Sequence, residues 1–514
     1  MSMWMAMADV PWMIGAIVVP LAAAVLALLG GRHGGPPLGA LAAGGIVMTV
    51  IGMSFQVGRH GPMRYPLGSW GAPLGIELHA DGLSALMLLM TAGVGVFINI
   101  YAVGYFADRA AGSTPKESKA EKSPIAHGQE REYFWPLWLF LWGTLNALFL
   151  SADVFNLYVT LELLTLSAVA LVALAGAPDA LTAALRYLLA ALLGSLAYLL
   201  GVALLYAAYG TLDVTTLGQR MSPGGLSTAA VTLITLGLLL KTALFPLHFW
   251  LPAAHANAPA PVSAVLSSLV VTASFYLLLR LWFEAFPAAL SPAAGQLLGC
   301  LGAAAMIWGS LQAFFAQRLK LLVAYSTVAQ LGYFFLLFPL AGMGTGGLTA
   351  WSGGVFFAVS HAGAKAALFL AAGSVLFTVG HDRIAELEEA GQRLPMTFLT
   401  MGLAAVTLMG LPPSGAFVAK WLLIDSAVRT GQAWWGAVLI LGGLLSAGYL
   451  FRVLRLPFTP ASDRPVSAVP RGMAWSALLL ALAALLLGFW ATPALRLARV
   501  GAPLADSPAR EAGP

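Results

Sequence analysis

The chain has 514 residues, of which 60% are hydrophobic and 9% charged, with 26 Lys+Arg against 21 Asp+Glu and a mean hydropathy of +0.85. A soluble domain carries about 25% charged residues, so this composition excludes an ordinary soluble enzyme. The one cysteine, Cys300, excludes a disulfide framework, a cysteine-ligated zinc site and an iron–sulfur cluster held by this chain alone, and basic residues dispersed between apolar segments exclude a nucleic-acid-binding face.

A bilayer core of ~30 Å is crossed by about 20 apolar residues in helical conformation. By that ruler about fourteen crossings are predicted, near 10–30, 38–57, 82–106, 133–152, 153–175, 182–209, 226–246, 258–283, 292–315, 320–340, 347–379, 396–428, 433–456 and 470–492, the twelfth interrupted by Pro412-Pro413. Backbone amides in hydrocarbon have no water to bond, so helices are expected throughout and the fold class is an all-α polytopic membrane protein. The expected organisation is three N-terminal membrane helices in 1–106, a charged loop in 107–132, a core in 133–430, and two membrane helices with a short tail in 431–514. The first ten residues contain no Lys or Arg and no small-residue cleavage site follows the first apolar run, so the first helix is expected to be retained. Sorting the Lys and Arg residues places fifteen in loops opposite the N-terminus, seven on its own side and four within spans. That asymmetry predicts a cytoplasmic (inner) cell-membrane protein with both termini outside and the 107–132 loop inside.

The loop 107–132 and the stretch from His381 to Arg393 mix charge signs and are expected to be solvated connectors. Gly342, Gly344 and Gly347 fit G-x-G-x-x-G, but they join two membrane helices, follow no strand and have no acidic residue about 20 positions on, which excludes a nucleotide site. His248 and His255 bracket the turn PLHFWLPAAH without a Cys or carboxylate to complete a zinc set. No metal and no cofactor are expected.

Ionisable groups inside apolar runs carry the chemistry, since a Lys or Asp at a helix centre costs ~2.5–3.5 kcal/mol on insertion scales. Glu162 lies in the fifth span, Lys241 in the seventh before Pro246 and Pro252, His361 and Lys365 one turn apart in the eleventh, and Lys420 in the twelfth after Pro412-Pro413. Arg280 and Asp425, nearer span ends, are expected to be interfacial. Proline breaks the backbone ladder and frees carbonyls, and broken helices at mid-membrane are where transporters place ion sites. Burial disfavours a charged lysine and a neighbouring carboxylate favours it, so Glu162 and Lys241, brought together or parted, form a proton switch. Several such sites in series form a lateral relay in which each charge biases the next. His248, beside the break in its helix, is a candidate proton carrier.

The motifs LSALMLLMTAGVGVFINIYAVGYF, FNLYVTLELLTLSAVALVAL, LKTALFPLHFWLPAAHANAPAPVSAVL, LKLLVAYSTVAQLGYFF, SHAGAKAALFLAAGSVLF and LPPSGAFVAKWLLI, in this order, resemble the antiporter-like membrane subunits shared by complex I, membrane-bound hydrogenases and Mrp-type cation/proton antiporters, over about 82–430. The resemblance implies a fourteen-helix core of two inverted five-helix repeats with helices seven and twelve broken. It also implies roles: Glu162 matches the family's fifth-helix glutamate, Lys241 the lysine of the broken seventh, Lys365 that of the eleventh and Lys420 the charged residue of the twelfth, with His361 where the family often has histidine. Two departures stand out. The eighth helix, where the family usually carries Lys or His, offers only the hydroxyls Ser267, Ser268 and Thr272, which can hold water in a relay but store no charge. The chain is also expected to lack the long lateral helix of the largest complex I paralogue, which makes it more similar to the middle-sized paralogues or to the D-type component of Mrp assemblies.

The expected function is a proton-translocating subunit of an Mrp-type or complex-I-like assembly. Its partners would be other membrane subunits of the same complex and the lipid bilayer, with protons and Na+ or K+ as candidate ions. The alternatives are a non-conducting structural subunit of the membrane arm and a proton-driving partner in uptake of a solute such as inorganic carbon.

Overall fold

The computed structural model describes residues 12–71, 75–110, 127–342, 346–459 and 468–504. Helix boundaries follow local chemistry. Prolines sit in the first turn where a missing amide costs nothing, as Pro178, Pro292 and Pro395 do. Asp153 and Ser414 cap helix starts by accepting from the amides of Asn156 at 2.8 Å and Phe417 at 3.1 Å. Left-handed Gly210, Gly380 and Gly410 end others.

We label the membrane helices in chain order. The first six are α1 (Trp12–Leu29), α2 (Gly31–His60), α3 (Gly82–Ala110), α4 (His127–Leu150), α5 (Val154–Ala173) and α6 (Pro178–Tyr209). The seventh is split into α7a (Gly225–Thr242) and α7b (Leu251–Asn257). Next come α8 (Ala260–Ala285), α9 (Pro292–Phe315), α10 (Leu319–Ala341) and α11 (Gly347–Val379). The twelfth is again split, into α12a (Pro395–Met409) and α12b (Gly415–Arg429), before α13 (Ala433–Leu454) and α14 (Arg471–Ala498).

Among the described residues thirteen helices are long and apolar enough to cross a membrane. The remaining predicted crossing is the pair α12a and α12b, fifteen residues each, which only together span a bilayer. The protein is an all-α polytopic membrane protein. One boundary moves: α7a stops at Thr242 rather than 246, because Ala243 turns left-handed (φ 57°) and Pro246 has no amide to continue the ladder. Both helices flanking the predicted 107–132 loop run into it, to Ala110 and from His127. Residues 111–126 of that loop, and 343–345 of the glycine motif, lie outside the described residues.

Interhelical loops alternate between two faces. On one, a short antiparallel hairpin, β1 (Met63–Pro66) with β2 (Glu77–Ala80), bridges through Leu78 to Ser151, and Asp153 bridges to Asp213. On the other, Arg318 bridges to Arg383. Here the 381–393 stretch departs from the solvated connector expected of it: Asp382 is buried and accepts from Arg318 Nε at 2.9 Å and from the Lys320 amide at 3.2 Å, capping α10. The core centres on α8, buried along its apolar length, with α10 and α11 packed around it.

Candidate proton-relay site

The first cluster is assembled by α5, α6 and α7a. Lys241, in the last turn of α7a, donates from Nζ to Glu162 Oε1 at 2.8 Å and to Thr165 Oγ1 at 2.9 Å, both on α5. Ser195 of α6 donates to the same Glu162 oxygen. The lysine side chain is 4% exposed and the glutamate 17%, so the ion pair sits at the edge of the core. Glycines make the approach possible: a Cβ on Gly194 would stand 2.8 Å from the Gly237 carbonyl and 3.4 Å from Lys241 Cγ. The pair predicted from sequence is therefore in direct contact, and a carboxylate is present to favour the charged lysine.

The break in α7 frees carbonyls at the end of α7a. Trp250 Nε1 takes the Leu240 carbonyl at 2.9 Å. His248 lies half-buried in the link between the half-helices, its ring stacked on Phe245 with centroids 5.6 Å apart. Its Nδ1 has no hydrogen-bond partner among the described residues.

Among the described residues no carboxylate pairs with the lysines of the second cluster. Lys365 is fully buried on α11 and donates to the Val323 carbonyl at 2.8 Å and to Ser326 Oγ at 2.6 Å, both on α10. Lys420 of α12b folds back over left-handed Gly410 and donates to the last carbonyls of α12a, Met409 at 3.0 Å and Leu408 at 3.3 Å. A helix C-terminus carries partial negative charge, so this break is itself the counter-dipole for the ammonium. The Tyr333 ring lies 4.0 Å beneath it. His361, buried with both ring nitrogens unpartnered among the described residues, is within electrostatic reach of Lys365 and Lys420 alike.

Sequence reasoning passed over His255 as more than a failed zinc ligand. It is fully buried on α7b, both nitrogens unpartnered among the described residues, packed at 5.6 Å from the Phe369 ring and within electrostatic reach of Lys320 and Lys365. The available signal was a histidine in an apolar run immediately after a double-proline break. The predicted relay hydroxyls divide. Ser267 shares a 2.8 Å hydrogen bond with Thr327 of α10, next to the Ser326 that accepts from Lys365, whereas Ser268 and Thr272 donate to carbonyls of their own helix, Ala264 at 2.6 Å and Ser268 at 2.8 Å.

Arg280 corrects a further expectation. It is not interfacial but 2% exposed, donating to both Asp81 oxygens at 2.5 and 2.8 Å, to Glu284 at 2.5 Å and to Ser84 at 2.9 Å. Burial would raise the Asp81 carboxyl, but the Arg280 guanidinium outweighs it and holds the group down at about 2. Asp425 does lie at the surface, paired with Arg429 at 2.7 Å.

A family model described as "NADH:quinone oxidoreductase/Mrp antiporter, TM" matches residues 151–446, more than half the chain and all the charged groups of both clusters. A second, "NADH-Ubiquinone oxidoreductase (complex I), chain 5 N-terminus", matches residues 68–112. NADH-quinone oxidoreductase subunit N of Desulforudis audaxviator is 34% identical over 415 residues, 80% of this chain and 78% of the relative. The D-type component of the Na(+)/H(+) antiporter of Bacillus subtilis is 26% identical over 500 residues, 93% and 94% of the two chains. Among solved structures, a chain of the Mrp complex from Dietzia sp. superposes with TM-score 0.83 at 22% identity, covering 96% of this chain and 97% of that one, which speaks to fold. A chain of the membrane-bound sulfane sulfur reductase, an archaeal respiratory membrane complex, matches with the same TM-score and coverage at 26% identity.

Proposed function

The chain belongs to the NADH:quinone oxidoreductase/Mrp antiporter membrane family, and from that premise we propose that it moves protons through a lateral series of buried groups: Glu162, Lys241, His248, Lys365, His361 and Lys420. The observation that carries this reading is the contrast between the clusters. Lys241 has an anionic partner at 2.8 Å, whereas Lys365 and Lys420 are held by neutral oxygens. A proton therefore rests more readily where the carboxylate stands, and parting Glu162 from Lys241 releases it towards the groups that lack one. His255 and His361, each within electrostatic reach of Lys365, join the series as carriers between lysines, and Ser267 with Thr327 supplies the hydroxyl link from α8 to α10. His248 would load the first lysine from the break.

The assembly is a multisubunit membrane complex in the cytoplasmic membrane, with both termini outside and other membrane subunits as partners. Protons, with Na+ or K+ as candidate ions, are the transported species of this reading. In the reconstituted complex, Lys241→Ala and Glu162→Gln are each expected to abolish proton-coupled transport with assembly intact. Full transport in both variants would overturn the reading and leave a structural subunit.

A further inference from the structure

Lys420 carries its charge against two backbone carbonyls, Leu408 and Met409, so whatever else touches them affects how firmly it keeps a proton. Both carbonyls are free of the helix ladder for a sequence reason: the residues four positions on are Pro412 and Pro413, which have no amide to donate. The Leu408 oxygen serves two side chains, Lys420 Nζ at 3.3 Å and, from α10, Gln330 Nε2 at 3.1 Å. Gln330 is fully buried. The same nitrogen donates to Ser446 Oγ of α13 at 3.1 Å, where the Tyr449 hydroxyl also donates at 3.3 Å. Turning the amide over would set its oxygen against the Leu408 oxygen, so its orientation is fixed. Its Oε1 takes no hydrogen bond among the described residues, so the amide is placed for what it donates. One turn earlier on α10, Ser326 accepts from Lys365 at 2.6 Å, and one helix face thus serves both lysines.

We propose that Gln330 is a positioning residue for proton release from Lys420, acting through the Leu408 carbonyl that the two side chains share. The inference rests on the proton-translocating reading above. A carbonyl oxygen has two lone pairs, and the hydrogen that Gln330 places on one carries partial positive charge beside the ammonium. It therefore disfavours the charged lysine. When Lys420 gives up its proton, its charge-assisted bond to Leu408 becomes an ordinary one, roughly half as strong. Gln330 holds the same oxygen in both states, so release strands no buried Leu408 carbonyl. The other titratable groups around Lys420 are few. α11 contributes His361 and Lys365, and α10 contributes Tyr333, whose ring lies under the ammonium. α13 contributes Tyr449 beside Ser446, and near its end Arg452, which donates to the Ala316 carbonyl at 2.8 Å. α12a has no ionisable side chain and α14 has Arg471 and Arg496 near its ends. On α12b the Asp425–Arg429 pair lies at the surface.

The test measures transport by the complete complex in proteoliposomes as a function of pH. Gln330→Met keeps the side-chain volume and removes the donor, leaving the Leu408 carbonyl to Lys420 alone. It is expected to slow transport several-fold at neutral pH and to move the rate profile by about one unit towards higher pH, the size of one hydrogen bond. Ser446→Ala loosens the same amide but keeps its bond to Leu408, so its profile should match the wild type. Gln330→Glu places a carboxylate near Lys420, as Glu162 stands to Lys241, and should slow transport further with a larger shift in the same direction. An unmoved profile in Gln330→Met, whatever its rate, would overturn the proposal. Equal shifts in Gln330→Met and Ser446→Ala would do the same, because both loosen the packing and only one frees the carbonyl. If Gln330→Met fails to assemble, the Gln330→Glu profile decides, and an unmoved one rejects the role. In each case Lys241→Ala is the reference and should be inactive. An active Lys241→Ala would instead remove the translocation reading, and the role of Gln330 with it.

Discussion

Trp250 donates its indole N–H to the Leu240 carbonyl across the break in α7, while its ring lies flat on Tyr187 of α6, centroids 4.2 Å apart and planes within 5°. Leu240 immediately precedes Lys241, so the indole ties the end of α7a both to α7b and to the helix that supplies Ser195. The Ala243 amide also donates to this carbonyl, at 3.2 Å, so the indole's part is to lock the link between the half-helices rather than to satisfy the carbonyl alone. Trp250→Phe keeps the stacked ring and removes the donor. Transport is expected to fall several-fold, with the complex assembled, because Lys241 loses its fixed position against Glu162. Tyr187→Phe, which keeps the stack, should transport normally in the same assay.

The Glu162–Lys241 pair separates stability from transport. Removing one partner of a buried pair leaves an uncompensated charge, a loss of about 3–5 kcal/mol when burial is complete; with Glu162 partly exposed the lower end is expected. Lys241→Met should therefore lower the unfolding temperature in detergent, and Glu162→Gln combined with Lys241→Met should recover much of that loss. Both should be inactive in transport. Recovery of transport in the double variant would contradict the assigned role.

Gly410 ends α12a at φ +81°, and a Cβ there would stand 2.6 Å from Lys420 Cδ and 3.0 Å from its Nζ. Alanine in a left-handed conformation costs about 1–2 kcal/mol, and here it would also push the ammonium off the α12a carbonyls. Gly410→Ala is expected to reduce transport nearly as far as Lys420→Ala does. Gly402, on the same helix with nothing within 4 Å of an added Cβ, is the matched control and should tolerate alanine.

Arg280 and Arg429 each pair with carboxylates, but only Arg280 is buried. Arg280→Met would strand Asp81 in the core, at a cost of about 3–5 kcal/mol. Arg429→Met removes an exposed i,i+4 pair worth less than about 1 kcal/mol. Thermal unfolding of the two variants in detergent should differ accordingly, and equal midpoints would refute the buried network.

Much of this was legible in one dimension. Hydrocarbon leaves a backbone only one local solution, so apolar length alone located the crossings, and prolines inside apolar runs located both breaks. The same rule made Glu162, Lys241, Lys365 and Lys420 conspicuous, since charge in oil needs a partner. What the rule does not state is which partner. Arg280 looked interfacial by its distance from a helix end, yet the hairpin folds over that end and delivers Asp81 from 199 positions away. Ser268 and Thr272 looked like relay groups by type, but their hydroxyls turn back to carbonyls of their own helix, a choice made by rotamer and neighbour. The carboxylate beside Lys241 and its absence beside Lys365 and Lys420 likewise follow from how α5, α6 and α10 to α12 pack. Local polarity depends on residue type and the solvent around one segment, so it can be read along the chain. Pairing depends on distances between segments far apart in sequence, and those exist only once the helices have closed around α8.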